Sequence, residues 1–103
     1  MTQLNLTLHL IQSPISTASF NRRISRFVNN SNRIVFLGDS VFSFLELNES
    51  IANSELSIAA LDTDIDARGL KKLFESNQCG NLNVIDFEQF VSLTIEANKV
   101  VSW

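Results

Sequence analysis

The chain has one cysteine, one histidine and no tyrosine in 103 residues. A single thiol excludes an internal disulfide, and a reducing cytoplasm is the natural setting for such a sequence. One histidine leaves no His-rich metal cluster to build, and no nucleophile-elbow motif stands beside it to suggest a Ser-His-Asp triad. No apolar run approaches the roughly 18 residues of a membrane span. The opening MTQLNLTLHLIQ lacks the basic start of a signal peptide. Charge is also scarce. Charged residues make up 18% against 45% hydrophobic, too few for a disordered chain and enough apolar material for a core. The length argues for one domain spanning residues 1–103, with no internal repeat or linker.

Acidic residues are missing altogether before Asp39. Four arginines (Arg22, Arg23, Arg26 and Arg33) stand in that part, giving +4, while four bases and eleven acids in the remainder give −7. Such a balance implies two differently charged surfaces. It argues against a nucleic-acid-binding domain, which is usually basic overall. The aromatic set is skewed too, with eight Phe and one Trp. A small chain buries only part of its surface, so surplus Phe suits a partner.

Leu4, Leu6, Leu8 and Leu10 alternate with Asn5, Thr7 and His9, the period of a strand that Ser13-Pro14 ends. From Ser19 the period becomes helical. Phe20, Ile24, Phe27 and Val28 share one face, and Arg22, Arg23 and Arg26 the other. Asn29 to Asn32 reads as a turn, and residues 33–37 as a buried parallel strand. Gly38-Asp39-Ser40 breaks that strand and opens a helix over residues 41–47, where Phe42 and Phe44 point in well-separated directions. Residues 56–61 form a third strand, 75–81 a polar loop and 82–85 a fourth strand. Asp86 to Gln89 is a capping box for a helix whose apolar residues are Phe87, Phe90, Val91 and Ile95. Strands alternating with helices predict an α/β fold: a small three-layer domain with a mainly parallel sheet of four to five strands and helices on both faces. Ligands and partners tend to meet such a sheet at its carboxyl edge, where Pro14, Gly38, the acidic segment and Asp86 would lie.

The stretch DTDIDARG, residues 62–69, has the aspartate spacing that opens a calcium loop. The rest of that pattern fails, because Ala67 stands where the turn needs Gly and Leu73 where it needs a bidentate Glu. The acids instead suit the first turn of a helix, with Gly69 at its left-handed end.

Four ordered stretches remain: LHLIQSP at 8–14, LGDSV at 37–41, DIDARGL at 64–70 and VIDFEQFVSLT at 84–94, followed by Trp103. Together they resemble the TusB/DsrH family, the small subunits of the DsrE/DsrF/DsrH group. The motif residues are His9, Ser13, Pro14, Asp39, Arg68, Gly69 and Asp86. Ser40 departs from a frequent family Gly, which bears on the turn geometry. The resemblance implies a cytoplasmic heterohexamer with TusC-like and TusD-like subunits, two copies of each. In that complex persulfide sulfur passes from a TusA-like carrier through a TusE-like carrier to the tRNA thiolase MnmA. The product is 2-thiouridine at the wobble position. The resemblance puts the sulfur-carrying Cys on the TusD-like subunit, and no cofactor or metal is expected for this chain. Some DsrH members carry a reactive Cys in the first helix, at a place corresponding to about Arg23 here, which favours the tRNA-thiolation branch over sulfur oxidation.

Cys79 is the one candidate nucleophile. No basic residue adjoins it in Ser76-Asn77-Gln78-Cys79-Gly80-Asn81, although a persulfide carrier needs a lowered thiol pKa. It is either an incidental loop thiol or a sulfurtransferase centre. The Arg22/Arg23/Arg26 face is either solvated or meets an acidic partner or tRNA. Phe42, Phe44 and Trp103 are the apolar interface candidates. His9 serves either as a polar strand residue or as a contact.

Overall fold

The computed structural model describes residues 6–26, 32–52, 56–76 and 82–103. Five parallel strands, β1 (Thr7–Ile11), β2 (Asn32–Phe36), β3 (Ser57–Leu61), β4 (Leu82–Ile85) and β5 (Lys99–Ser102), form one sheet in the order β4-β3-β2-β1-β5. The register pairs His9 with Ile34 and Ile34 with Ile58, so alternate residues of neighbouring strands share a face.

On one face lie α1 (Thr17–Ile24), α2 (Phe44–Ala52), α3 (Asp62–Ala67) and α4 (Lys71–Ser76). Their inward residues Phe20, Leu47, Ile51, Ile65 and Phe74 close over Ile11, Ile34, Phe36, Ile58 and Ala60. On the other face α5 (Phe87–Glu96) sets Phe90 and Leu93 on Leu8, Val35, Ala59, Leu61 and Ile85. This split follows from chain direction. The steps from β1 to β4 all run one way across the sheet, while the step to β5 runs back over it. A single hand of crossover therefore places α5 alone on its side.

The expected fold is present, with three differences of detail. The second helix starts earlier and ends later than residues 41–47, as a 3-10 turn over Gly38–Ser43 leading into α2. Lys71–Ser76 forms an additional short helix, α4, that buries Phe74. The apolar residues of α5 do not all face the sheet: Phe87, Val91 and Ile95 remain exposed, and α5 has no fully buried residue. Phe27, Val28 and the turn before Asn32 lie outside the described residues, as does Cys79. No helix among the described residues is long and apolar enough to cross a membrane.

Candidate functional site: the clamped carboxyl edge and the tryptophan column

The turns that leave β1, β2 and β3 meet at the carboxyl edge of the sheet, and the motif residues tie them together. Gly38 leaves β2 with φ +56, a left-handed conformation that favours glycine. Its N–H donates to Asp64 Oδ2 at 2.8 Å. The neighbouring Asp39 accepts from Arg68 Nε at 3.0 Å, and Arg68 Nη2 lies 3.0 Å from the same oxygen. Arg68 Nη1 donates to the Asp64 carbonyl at 3.1 Å and pairs with its carboxylate at 3.5 Å. One guanidinium thus joins the β2 turn to α3. Its planar, always-charged donor fork suits this role better than an ammonium would.

Arg68 is held at that point by the way α3 ends. Gly69 has φ +68 and donates to the Asp66 carbonyl at 3.0 Å, while Leu70 N–H reaches the Ile65 carbonyl at 3.0 Å. This pair of bonds is a Schellman closure, and Leu70 packs against the cluster that contains Ile65. The A-R-G-L run therefore has a geometric meaning: Gly69 stops the helix and Arg68 grips the adjacent turn. Asp62 and Asp64 stand in the first turn of α3, and Asp64 is committed to the clamp. Among the described residues no group of three or more His, Cys, Asp or Glu is disposed to hold a metal ion.

Ser40, the departure from the frequent glycine, is fully buried. Its hydroxyl lies within hydrogen-bond reach of the Ile11 and Leu37 carbonyls, so its one proton is shared between the ends of β1 and β2. Ser43 Oγ accepts from Ile15 N–H at 2.9 Å, tying in the turn that carries Ser13 and Pro14. Asp86 caps α5 as expected. Its carboxylate accepts from Gln89 N–H at 2.8 Å, and the Gln89 side chain accepts from Asp86 N–H at 2.9 Å.

A second constellation stands at the β5 side. His9 points into the α1 face and is 6% exposed, so its polar ring needs partners. Trp103 Nε1 lies 3.1 Å from His9 Nδ1, and His9 Nε2 lies 2.9 Å from Asn32 Oδ1. The indole N–H can only donate, so Nδ1 accepts. The ring proton then sits on Nε2 and is donated to Asn32. Trp103 N–H also donates to the Leu10 carbonyl at 2.9 Å, and its ring lies 6.2 Å from Phe20. Above the indole stands Arg23, its guanidinium carbon 4.8 Å from the ring centroid. Trp103 is thus half-buried in its own chain, and the family-motif His9 is its anchor.

Arg22, Arg23 and Arg26 line one cavity of about 510 Å³ with Ser13, Ser19 and Trp103. At the opposite, β4 edge a cavity of about 740 Å³ carries Asp62, Asp66 and Glu75 beside Lys71 and Phe74. Three of the four N-terminal arginines thus stand at one sheet edge and three of the acids at the other. Phe42 is exposed beside the clamp. Phe44 opens α2, and its side chain lies outside the described residues. Sequence reasoning did not pick out Asp64, Ser43 or Asn32 as partners of these motifs. Asn32 and Ser43 act across 23 and 28 residues of chain, and Asp64 reaches Gly38 across 26 although it also pairs with Arg68 one helical turn away.

These features define a small parallel α/β domain with a clamped carboxyl edge. The chain belongs to the DsrH family: residues 12–100 match the family described as DsrH like protein. It is 29% identical over 83 residues to Protein TusB of Photorhabdus laumondii, a match covering 78% of this chain and 83% of that protein. Its fold is similar to that of the crystal structure of the YchN protein from E. coli, with a TM-score of 0.71 and 16% identity, over 98% of this chain and 100% of that one.

Proposed function

We propose that this chain is a non-catalytic subunit of a TusBCD-type sulfur-relay complex. In this reading it is bound to TusC-like and TusD-like subunits, two copies of each kind, in the cytoplasm. The complex receives persulfide sulfur from a TusA-like carrier and delivers it through a TusE-like carrier to 2-thiolation of the wobble uridine of tRNA. Membership of the DsrH family and likeness to a TusB support the relay.

The subunit reading is carried by the large apolar surface left open. Phe87, Val91 and Ile95 follow one another at helical spacing along α5, with Ile95 78% exposed, and Phe42 is 50% exposed at the carboxyl edge. Large contiguous apolar patches on small chains mark interfaces. The polar motif side chains are occupied within the chain. His9 is engaged by Trp103 and Asn32, Arg68 by two aspartates, and Ser40 by backbone carbonyls. In this role the chain positions and covers, and the thiol chemistry belongs to a partner.

The test uses cells lacking the native gene. Cys79→Ser is expected to leave wobble 2-thiouridine at wild-type levels, and deletion of the chain to abolish it, by mass spectrometry of tRNA nucleosides. Loss of the nucleoside with Cys79→Ser in an assembled complex would make Cys79 the sulfurtransferase centre instead. Normal thiolation after deletion of the chain would point to the sulfur-oxidation branch of the family, the reading its DsrH membership also allows.

A further inference from the structure

We infer that the cleft between α1, the turn after β1 and Trp103 is a docking site for an acidic peptide segment of a partner protein. Three guanidiniums, those of Arg22, Arg23 and Arg26, line it, and among the described residues none of them forms an ion pair with an acid. The first 38 residues contain no acid at all, so the chain's own N-terminal part offers these arginines no carboxylate.

The cleft is also built. Phe20 locks α1 onto the sheet, stacked 6.0 Å from Phe36. Trp103 is fixed at three points: its main-chain N–H on Leu10, its indole N–H on His9, and its ring against Phe20. Arg23 rests on that fixed indole. A guanidinium lying over an aromatic face keeps its in-plane N–H donors available. It is thereby held ready for a carboxylate, with less side-chain freedom to lose on binding.

Two observations favour a peptide over a polynucleotide. β5 is an edge strand that leads directly into Trp103 of the cleft, and an edge offers main-chain N–H and C=O groups that an extended peptide can pair with. Beyond residue 38 the chain carries −7, including the acidic cavity at the β4 edge, so a polyanion extending past the cleft meets repulsion. A short acidic segment engages only the basic side.

The molecule carries its own reporter, because Trp103 is the sole tryptophan and there is no tyrosine. Excitation of Trp103 in the full chain, titrated in low-salt buffer with an oligoglutamate peptide, is expected to give a saturable change in emission. A Gly–Ser peptide of equal length is expected to give none. Arg22→Gln/Arg26→Gln removes two exposed side chains that take part in no packing or ion pair described above. It is expected to leave the free protein's emission unchanged and weaken peptide binding about fivefold, the scale of two exposed ion pairs. Arg22→Glu/Arg26→Glu is expected to abolish binding. No saturable response to oligoglutamate, an unchanged affinity in the Gln variant, or tighter binding of an oligouridylate of equal charge would each overturn the proposal. The titration is read on the isolated chain, so its outcome is independent of the nucleoside measurement that tests the sulfur-relay reading.

Discussion

Replacing Arg68 by Met removes the clamp while keeping an unbranched apolar stem and leaving the α3 end intact. The cost can be worked from the geometry. Asp39 is 65% exposed, and an exposed pair of this kind is worth about 0.5 kcal/mol. Arg68 and Asp64 are 24% and 28% exposed, and here a donor bond to the Asp64 carbonyl accompanies the ion pair. Charge-assisted bonds in partly shielded sites reach ~1.5–3 kcal/mol, and solvent access reduces this one to about 1. The sum is roughly 1.5 kcal/mol, a fall in Tm of about 6–12 °C for a domain of this size. Urea unfolding followed by Trp103 emission measures it directly. A double-mutant cycle with Asp64→Asn isolates the pair, because Asn keeps an acceptor oxygen for Gly38 N–H but loses the charge. Coupling of about 0.5 kcal/mol is expected, because the bond to the Asp64 main-chain carbonyl is untouched in Asn. A variant as stable as the parent, with a coupling energy near zero, would refute the clamp. Loss of 2-thiouridine from a fully stable Arg68→Met chain would show instead that Arg68 acts on a partner.

Three further outcomes follow from the same reasoning. Trp103→Phe keeps a ring beside Phe20 but leaves His9 Nδ1 without its indole donor, so urea unfolding read by circular dichroism should show a loss of about 1 kcal/mol. Calorimetric titration with calcium should show no saturable binding in the micromolar range, since Asp64 is already committed to Gly38 and Arg68. Phe42→Asp, and separately Ile95→Asp, should make the isolated chain less prone to self-association and weaken its co-purification with TusC-like and TusD-like subunits; unchanged co-purification in both would remove these surfaces from the assembly.

The parts of the fold that were legible in sequence are those whose cause is local. The run at residues 34–37 is apolar throughout, as a strand covered on both faces must be, and the Asp86/Gln89 pair announces the start of α5. Gly69 marks the end of α3 because only a residue without Cβ is at ease at φ +68. What escaped depends on distance or direction. α4 has six residues, too short a trace for periodicity. In α5, Phe87, Val91 and Ile95 have the same helical spacing as a core-facing stripe. Period alone does not say which stripe finds cover when one helix serves a whole sheet face. The site divided in the same way. Motif residues Asp39, Arg68 and His9 were visible as residues, but the links of Asp39 to Arg68, Gly38 to Asp64 and His9 to Asn32 are fixed only by tertiary contact. Cys79 and the Phe44 side chain lie outside the described residues.

The seating of β5 against β1 also bears on how the chain folds. Thr7 pairs with Lys99 across 92 residues, whereas the other strand neighbours are successive in sequence. Closing so long a loop is entropically costly and comes late, after the β1–β4 units have assembled by shorter closures. Until then β1 is itself an edge, and His9 lacks its indole donor. A nascent or partly unfolded chain therefore presents a parallel-sheet edge, which another strand can enter in place of β5. Weakening Val101 or Trp103 should accordingly raise aggregation during refolding more than it lowers equilibrium stability, and should do so in proportion to protein concentration.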